Sequence, residues 1–171
     1  MRFKKSVEEI LNKQINAEFW SAYLYLSMSS YLAQKGYAGF ASWMRIQYQE
    51  EMSHAIKLFD YVISRGGDVK LTPISAVETE WKGIPEIFES TYEHECKVTD
   101  MIHDCYETAL KERDHATANM LQWFINEQAE EEESALEIID KLKMIGDKGA
   151  GLYMLDRELG ARTFIDSTQA V

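Results

Sequence analysis

The sequence predicts an all-α protein: a four-helix bundle with one long crossover between helices two and three and a short fifth helix near the C-terminal end. Three observations carry this expectation. Apolar residues recur at alternating steps of three and four over four segments, about 5–35, 39–65, 85–113 and 117–145. Proline, the strongest helix breaker, occurs only at Pro73 and Pro85, so no segment is interrupted. Between Gly66 and Pro85 lie 18 residues without a helical period, far more than a bundle loop needs.

Each periodic segment makes a rod of roughly 40 Å at 1.5 Å per residue. Gly36 and Gly39 separate the first pair, and Arg113-Asp114-His115 separates the second. Such short connections make antiparallel neighbours. The connection over 66–84 spans up to roughly 60 Å when extended, enough to return along a 40 Å helix. Helix three then starts beside the start of helix two, with Val69, Leu71 and Ile74 packing the crossover down. GDKGAG ends helix four, and about 150–160 reads as the short fifth helix, closed by Gly160. Residues 161–171 are polar and are expected to form a mobile tail. The whole chain, 1–171, reads as a single domain.

At 171 residues and 46% hydrophobic content the chain supports one core. A net charge of −11 argues against nucleic acid and anionic membrane as partners and favours cations, although an acidic surface can also serve solubility alone. Cys96 and Cys105 share one helix, about 13 Å apart along its axis, so they cannot pair within the chain. Without a C-x-x-C pair, a thiolate zinc or rubredoxin-type site is excluded. MRFKKSVEEI has no secretory apolar stretch, and no run of about 18 apolar residues occurs; a soluble, cytoplasmic protein is expected.

The core stripes contain what a core should not. Helix one reads Leu11, Ile15, Glu18, Ala22, Tyr25, Ser29, Leu32; helix two reads Met44, Gln47, Glu51, His54, Leu58, Tyr61. Helix three reads Phe88, Thr91, Glu95, Val98, Ile102, Cys105, and helix four Leu121, Phe124, Gln128, Glu131, Ala135, Ile138, Leu142. Every stripe is broken by an acid near its midpoint, which in a bundle sets the acids at one level. Burying one carboxylate costs several kcal/mol, about the scale of a domain's whole stability, and facing acids also repel. No Lys or Arg lies on the stripes, leaving protonation or a bound cation. Two divalent ions would neutralise Glu18, Glu51, Glu95 and Glu131 with His54 neutral, and Glu51-x-x-His54 sets two ligand types one turn apart. Carboxylates with few imidazoles and no thiolate suit Fe(II) or Mn(II) better than structural zinc.

Glu50, Glu127 and Glu130 flank this set. Glu127, Glu130 and Glu131 share a helix face at i, i+3 and i+4, and with Glu50 they make a candidate second, more open cation site. Tyr25 lies two turns beyond Glu18 on the same stripe and Trp123 lies five residues before Gln128; such aromatics serve packing, hydrogen bonding or redox chemistry.

Taken in order, Glu18 with Tyr25, QEEMSHA, STYEHE ending at Glu95, LQWFINEQAEEE and GLYMLDREL resemble the motifs of the ferritin family, in its bacterial non-haem branch, over nearly the whole chain. The resemblance implies a ferritin-like bundle and iron storage with ferroxidase activity, Fe(II) being oxidised by O2 or H2O2. It further implies that Glu18, Glu51 and His54 bind a first iron, that Glu51 bridges to a second held by Glu95 and Glu131 with Gln128 adjacent, and that Tyr25 stands beside this di-iron centre. Glu50, Glu127, Glu130 and Glu131 resemble a third iron site of bacterial ferritins. The family assembles as a hollow homo-oligomer of twenty-four subunits, with the fifth helix lining its four-fold axes.

The sequence also departs from related patterns. Met52 matches the haem-ligating position of bacterioferritins, but their second E-x-x-H reads Gln128-x-x-Glu131 here, so no haem is expected. Ala118 and Leu121 replace acids that line an iron route in animal heavy chains. A rubrerythrin-like di-iron peroxidase would add a C-x-x-C iron domain, and a DNA-protecting mini-ferritin would place its metal between subunits; both are weaker matches to these motifs.

Overall fold

The computed structural model describes residues 3–146 and 149–169. It contains α1 (Lys5–Gln34), α2 (Ala38–Ser64), α3 (Ile84–Lys111), α4 (His115–Ile145) and α5 (Ala150–Leu159), followed by a 3-10 turn at Ser167–Gln169. No strand occurs among the described residues, and the all-α expectation holds. Two positions of the GDKGAG break, 147 and 148, and the last two of the tail, 170 and 171, lie outside the described residues.

The helices stop where the local chemistry says they should. Gly36 and Gly66 adopt left-handed backbone (φ 87° and 73°), and the amides of Tyr37 and Gly67 turn back to the carbonyls of Leu32 and Val62. Between α3 and α4 the left-handed position is taken by Arg113 (φ 56°). Asp114 then caps α4, accepting from the Thr117 amide at 3.2 Å and hydroxyl at 2.8 Å. Both oxygens of the same carboxylate accept from Nη2 of Arg65, just past the end of α2, at 3.0 and 3.1 Å.

Contacts across the bundle fix its directions. Tyr25 meets Glu95 and Met28 meets Thr91, so α1 and α3 run antiparallel. Gln47 meets Glu131 and Arg65 meets Asp114, so α2 and α4 do likewise. The crossover climbs the outside of α1 as a polar ladder. Asn12 bonds the Asp68 carbonyl and the Lys70 amide, Asn16 the carbonyls of Thr72 and Pro73, Trp20 that of Ala76, Ser27 that of Glu78 and Tyr31 that of Trp81. One face of a single helix therefore satisfies an extended strand of backbone that has no sheet partner.

This corrects the expectation that Leu71 and Ile74 hold the crossover down, since they are 68% and 46% exposed. The apolar anchors are Val69 at one end and Val77 and Trp81 at the other. A second correction concerns residues 161 onward. The tail is docked along α2 and α4, through Arg162 to Gln47 and Glu50, Ser167 to Glu127, and Lys57 to the Thr168 carbonyl. Its polar side chains face acids of the bundle, a pairing that composition alone does not reveal.

The core falls into two apolar clusters. One, around Tyr25, Met28, Leu32, Phe40, Met44 and Phe88, fills the α5 end; the other, around Leu11, Ile15, Leu58, Ile102, Leu121 and Phe124, fills the opposite end. Each such buried side chain contributes about 1.5–3 kcal/mol. Between the clusters lies a polar layer.

Candidate metal centre

That layer holds Glu18, Glu51, His54, Glu95, Gln128 and Glu131, all buried, with Gln14, Ser21 and Gln47. Each helix supplies it from its own core face, because a residue flanked at three and four positions by Ile15, Ala22, Leu58 or Val98 is carried inward whatever its polarity.

Protein donors reach this layer unevenly. Gln14 donates to one oxygen of Glu18 at 2.8 Å, Gln47 to Glu131 at 2.7 Å, and Tyr25 and Gln128 both donate to Glu95, the latter at 3.1 Å. Glu18 Oε2, both oxygens of Glu51 and both ring nitrogens of His54 have no hydrogen-bond partner and no access to solvent. Unmet polar atoms in a core each cost on the order of 1–3 kcal/mol, so five together mark a place built for something else. They are close to one another: His54 Nδ1 lies 4.0 Å from Glu18 Oε2 and 3.9 Å from Glu51 Oε2. Glu18, Glu51 and His54 thus present one ligand atom each, all within 4.8 Å of one another, a separation that a single ion can bridge.

Electrostatics agree with geometry. Burial pushes the Glu51 carboxyl well above the carboxylate range, and Glu95, Glu18 and Glu131 push it further. Burial likewise lifts Glu95 and Glu131 to about 7 each, despite the donors on Glu95 from Tyr25 and Gln128 and on Glu131 from Gln47. For His54 burial acts downward, but Glu127, Glu18 and Glu131 outweigh it and raise the imidazole to about 9. Glu51, Glu95 and Glu131 are pushed toward their protonated forms even with His54 and Arg162 nearby, and a bound cation would supply the positive charge they lack. Burial also drives the Tyr25 phenol well above its usual value, so it stays a hydrogen donor to Glu95.

The accessory acids are arranged differently. Glu127 approaches His54 Nε2 at 3.7 Å, and His54, Glu127 and Glu131 form a second set with ligand atoms within 4.8 Å. Glu50 is instead held by Arg162 at 2.8 and 2.9 Å, and Glu130 is exposed. Glu95, with Tyr25 and Gln128 upon it, belongs to neither set. Trp123 packs edge-on against His54, centroids 5.4 Å apart, and Lys57 sits over its outer face.

Several contributors escaped the sequence reading. Gln14 lies one turn before Glu18 and is visible if the stripe is widened by one position. Gln47 was on the stripe, but its tie to Glu131 is a contact between helices. His94 bonds Ser21 at 2.8 Å behind Tyr25, and burial lowers it to about 4; it lies off the core stripe, one residue before Glu95. Arg162 is more than a hundred residues from Glu50 and Gln47, which it touches.

A one-crossover bundle with inward carboxylates and one Glu-x-x-His is similar to the di-metal carboxylate bundles, which carry two such motifs. A family profile described as "Ferritin-like domain" matches residues 8–145. The chain is 44% identical over 158 residues to a "Bacterial non-heme ferritin" of Bacteroides fragilis, covering 92% of this chain and 98% of that protein. A protein of the same description from Escherichia coli O6:H1 is 38% identical over 156 residues, 91% of this chain and 94% of its own. Among solved structures, an open-pore ferritin from the archaeon Archaeoglobus fulgidus superposes with a TM-score of 0.92 at 50% identity, over 94% of this chain and 98% of that one. The chain belongs to the ferritin-like family, among the non-heme ferritins.

Proposed function

We propose that this chain is an iron-storage subunit with ferroxidase activity, taking Fe(II) as substrate at the buried layer of the bundle. The observation that carries this reading is the set of five unpartnered atoms on Glu18, Glu51 and His54. Glu18, Glu51 and His54 receive one Fe(II). Glu51, with Glu95 and Glu131, receives a second, Gln128 and Tyr25 holding the Glu95 carboxylate in place. Hard carboxylate oxygens favour Fe(III) over Fe(II), which assists loss of the electron. Two neighbouring Fe(II) ions supply the two electrons that, with two protons, reduce one O2 to H2O2, and the pairing avoids a one-electron oxygen radical.

Glu50, Glu127, Glu130 and Glu131 form the accessory site that accepts iron beside this centre. The relatives' names support the storage role, and the family resemblance supports a hollow assembly of twenty-four subunits. No helix among the described residues is long and apolar enough to cross a membrane, which is compatible with a cytoplasmic store.

The test is anaerobic Fe(II) titration followed by admission of air. Two Fe(II) per chain should bind and then oxidise rapidly, with the amplitude of the rapid phase saturating at that ratio. A protein that takes up no Fe(II) at micromolar concentration, or oxidises it no faster than buffer, would refute the reading.

A further inference from the structure

Arg162 stands where a metal ion would have to go to use Glu50. One guanidinium nitrogen, Nη2, is shared between both Glu50 oxygens, at 2.9 and 2.8 Å, and the group lies over the Trp43 ring, 5.0 Å from its centroid. The pair is largely withdrawn from water, with side chains 28% and 13% exposed. Planar, permanently charged and matched to a carboxylate, a guanidinium in such a place is a fixed cation.

Its other nitrogen donates to Gln47 Oε1 at 2.5 Å. That contact settles which way the Gln47 amide faces, because with its oxygen engaged only its NH2 can donate to Glu131, as it does at 2.7 Å. Further along, Ser167 donates to Glu127 Oε1 at 2.9 Å, the oxygen that also lies nearest His54 Nε2, and Lys57 grips the Thr168 carbonyl at 3.1 Å. One segment therefore touches Glu50, Gln47 and Glu127 together. The unpartnered, buried His54 nitrogen beyond them marks this as a ligand position rather than a mere acidic surface.

We propose that residues 162–168 form a strap across the accessory cation site, with Arg162 as a built-in counter-ion that an incoming metal ion must displace. The proposal rests on the reading of the buried layer as a metal centre. Its consequence is a ranking of sites. Glu18, Glu51 and His54 lie outside the strap and fill first, whereas an ion approaching Glu50 and Glu127 must break a charge-assisted ion pair and a hydroxyl bond. Through Gln47 the strap also restrains Glu131, so filling the accessory site alters a ligand of the buried centre.

Equilibrium dialysis of the assembled protein against Zn(II), which undergoes no redox change, tests this without turnover. The parent should hold ions tightly at the buried centre and the accessory ion weakly. Arg162→Gln should bind the accessory ion about tenfold more tightly, as expected for removing one charge-assisted competitor, and adding Glu50→Gln should cancel that gain. Truncation after Ala161 should reproduce it, which guards against a point variant that misfolds, while Arg162→Lys, keeping the charge but not the second nitrogen that holds Gln47, should give an intermediate value. Zn(II) should also change the Trp43 contribution to emission in the parent and leave it unchanged in Arg162→Gln. Identical isotherms for parent, Arg162→Gln and truncated protein would overturn the strap and leave the buried centre standing. A parent that binds no Zn(II) would overturn both.

Discussion

Two residues show most directly what the buried layer is for. Glu18 and His54, together with Glu51, carry unmet buried side-chain atoms, while the other buried polar side chains among the described residues find partners. Glu18→Ala or His54→Ala should slow Fe(II) oxidation by about tenfold or more, since each removes a direct ligand; stopped-flow traces at two Fe(II) per chain check this, and parental rates in both variants would place the site elsewhere. Glu51→Gln should lose activity while the metal-free protein melts at the parental temperature or above. Burial and three neighbouring acids already oppose the Glu51 charge, so an uncharged amide relieves repulsion. A large drop in the metal-free melting temperature would show that Glu51 serves the fold instead.

At the scale of elements, helix ends are stabilised by residues from elsewhere. Asp156 of α5 accepts from the amides of Gly39 and Phe40 at 2.9 and 3.0 Å, capping α2, whose own Tyr37 offers no side-chain cap. A Cβ on Gly39 would fall 1.5 Å from the Asp156 carbonyl oxygen, so the two helices meet only because this residue is glycine. Asp156→Ala should destabilise the protein by about 1 kcal/mol through loss of the cap, and Gly39→Ala should cost more by forcing α5 away; urea melts with a tail-proximal probe distinguish the two.

Asp114 performs a similar task at the other end, joining the α4 cap to Arg65. Burial acts to raise its pKa, but the Thr117 and Arg65 contacts prevail and lower it below the ordinary 3.8. Its folded pKa being depressed, the stability it adds is present above pH 4 and is lost as pH falls through the folded value. Asp114→Ala should cost about 1–2 kcal/mol at neutral pH, and the gap to the parent should narrow toward pH 3; a gap independent of pH would assign the loss to packing.

For the whole molecule, Met144 near the end of α4 and Tyr153 and Met154 in α5 are apolar side chains that one chain leaves exposed. A subunit of 19.8 kDa in the proposed shell gives an assembly of about half a megadalton. Light scattering at micromolar protein should report that mass, and a monomer or dimer alone would contradict storage in a shell.

Periodicity and spacing by themselves determined the four helices, the crossover and the polar interruptions on four core faces. These are local properties: a three-and-four repeat selects a helix and its buried side, and 18 residues without it demand a long return. The stripes also carried Glu18, Glu51, His54, Glu95, Gln128 and Glu131 to the core face, where the structure buries them in one layer. What only the tertiary structure decided were pairings between segments remote in sequence. Polar side chains of α1, rather than Leu71 and Ile74, hold the crossover. Asp156 caps a helix more than a hundred residues before it. Arg162, in a stretch that reads as a loose polar tail, comes to rest on Glu50 and Gln47. The partners of a hydrogen bond or ion pair between remote segments are set by how the helices pack, which is where one-dimensional reading ends.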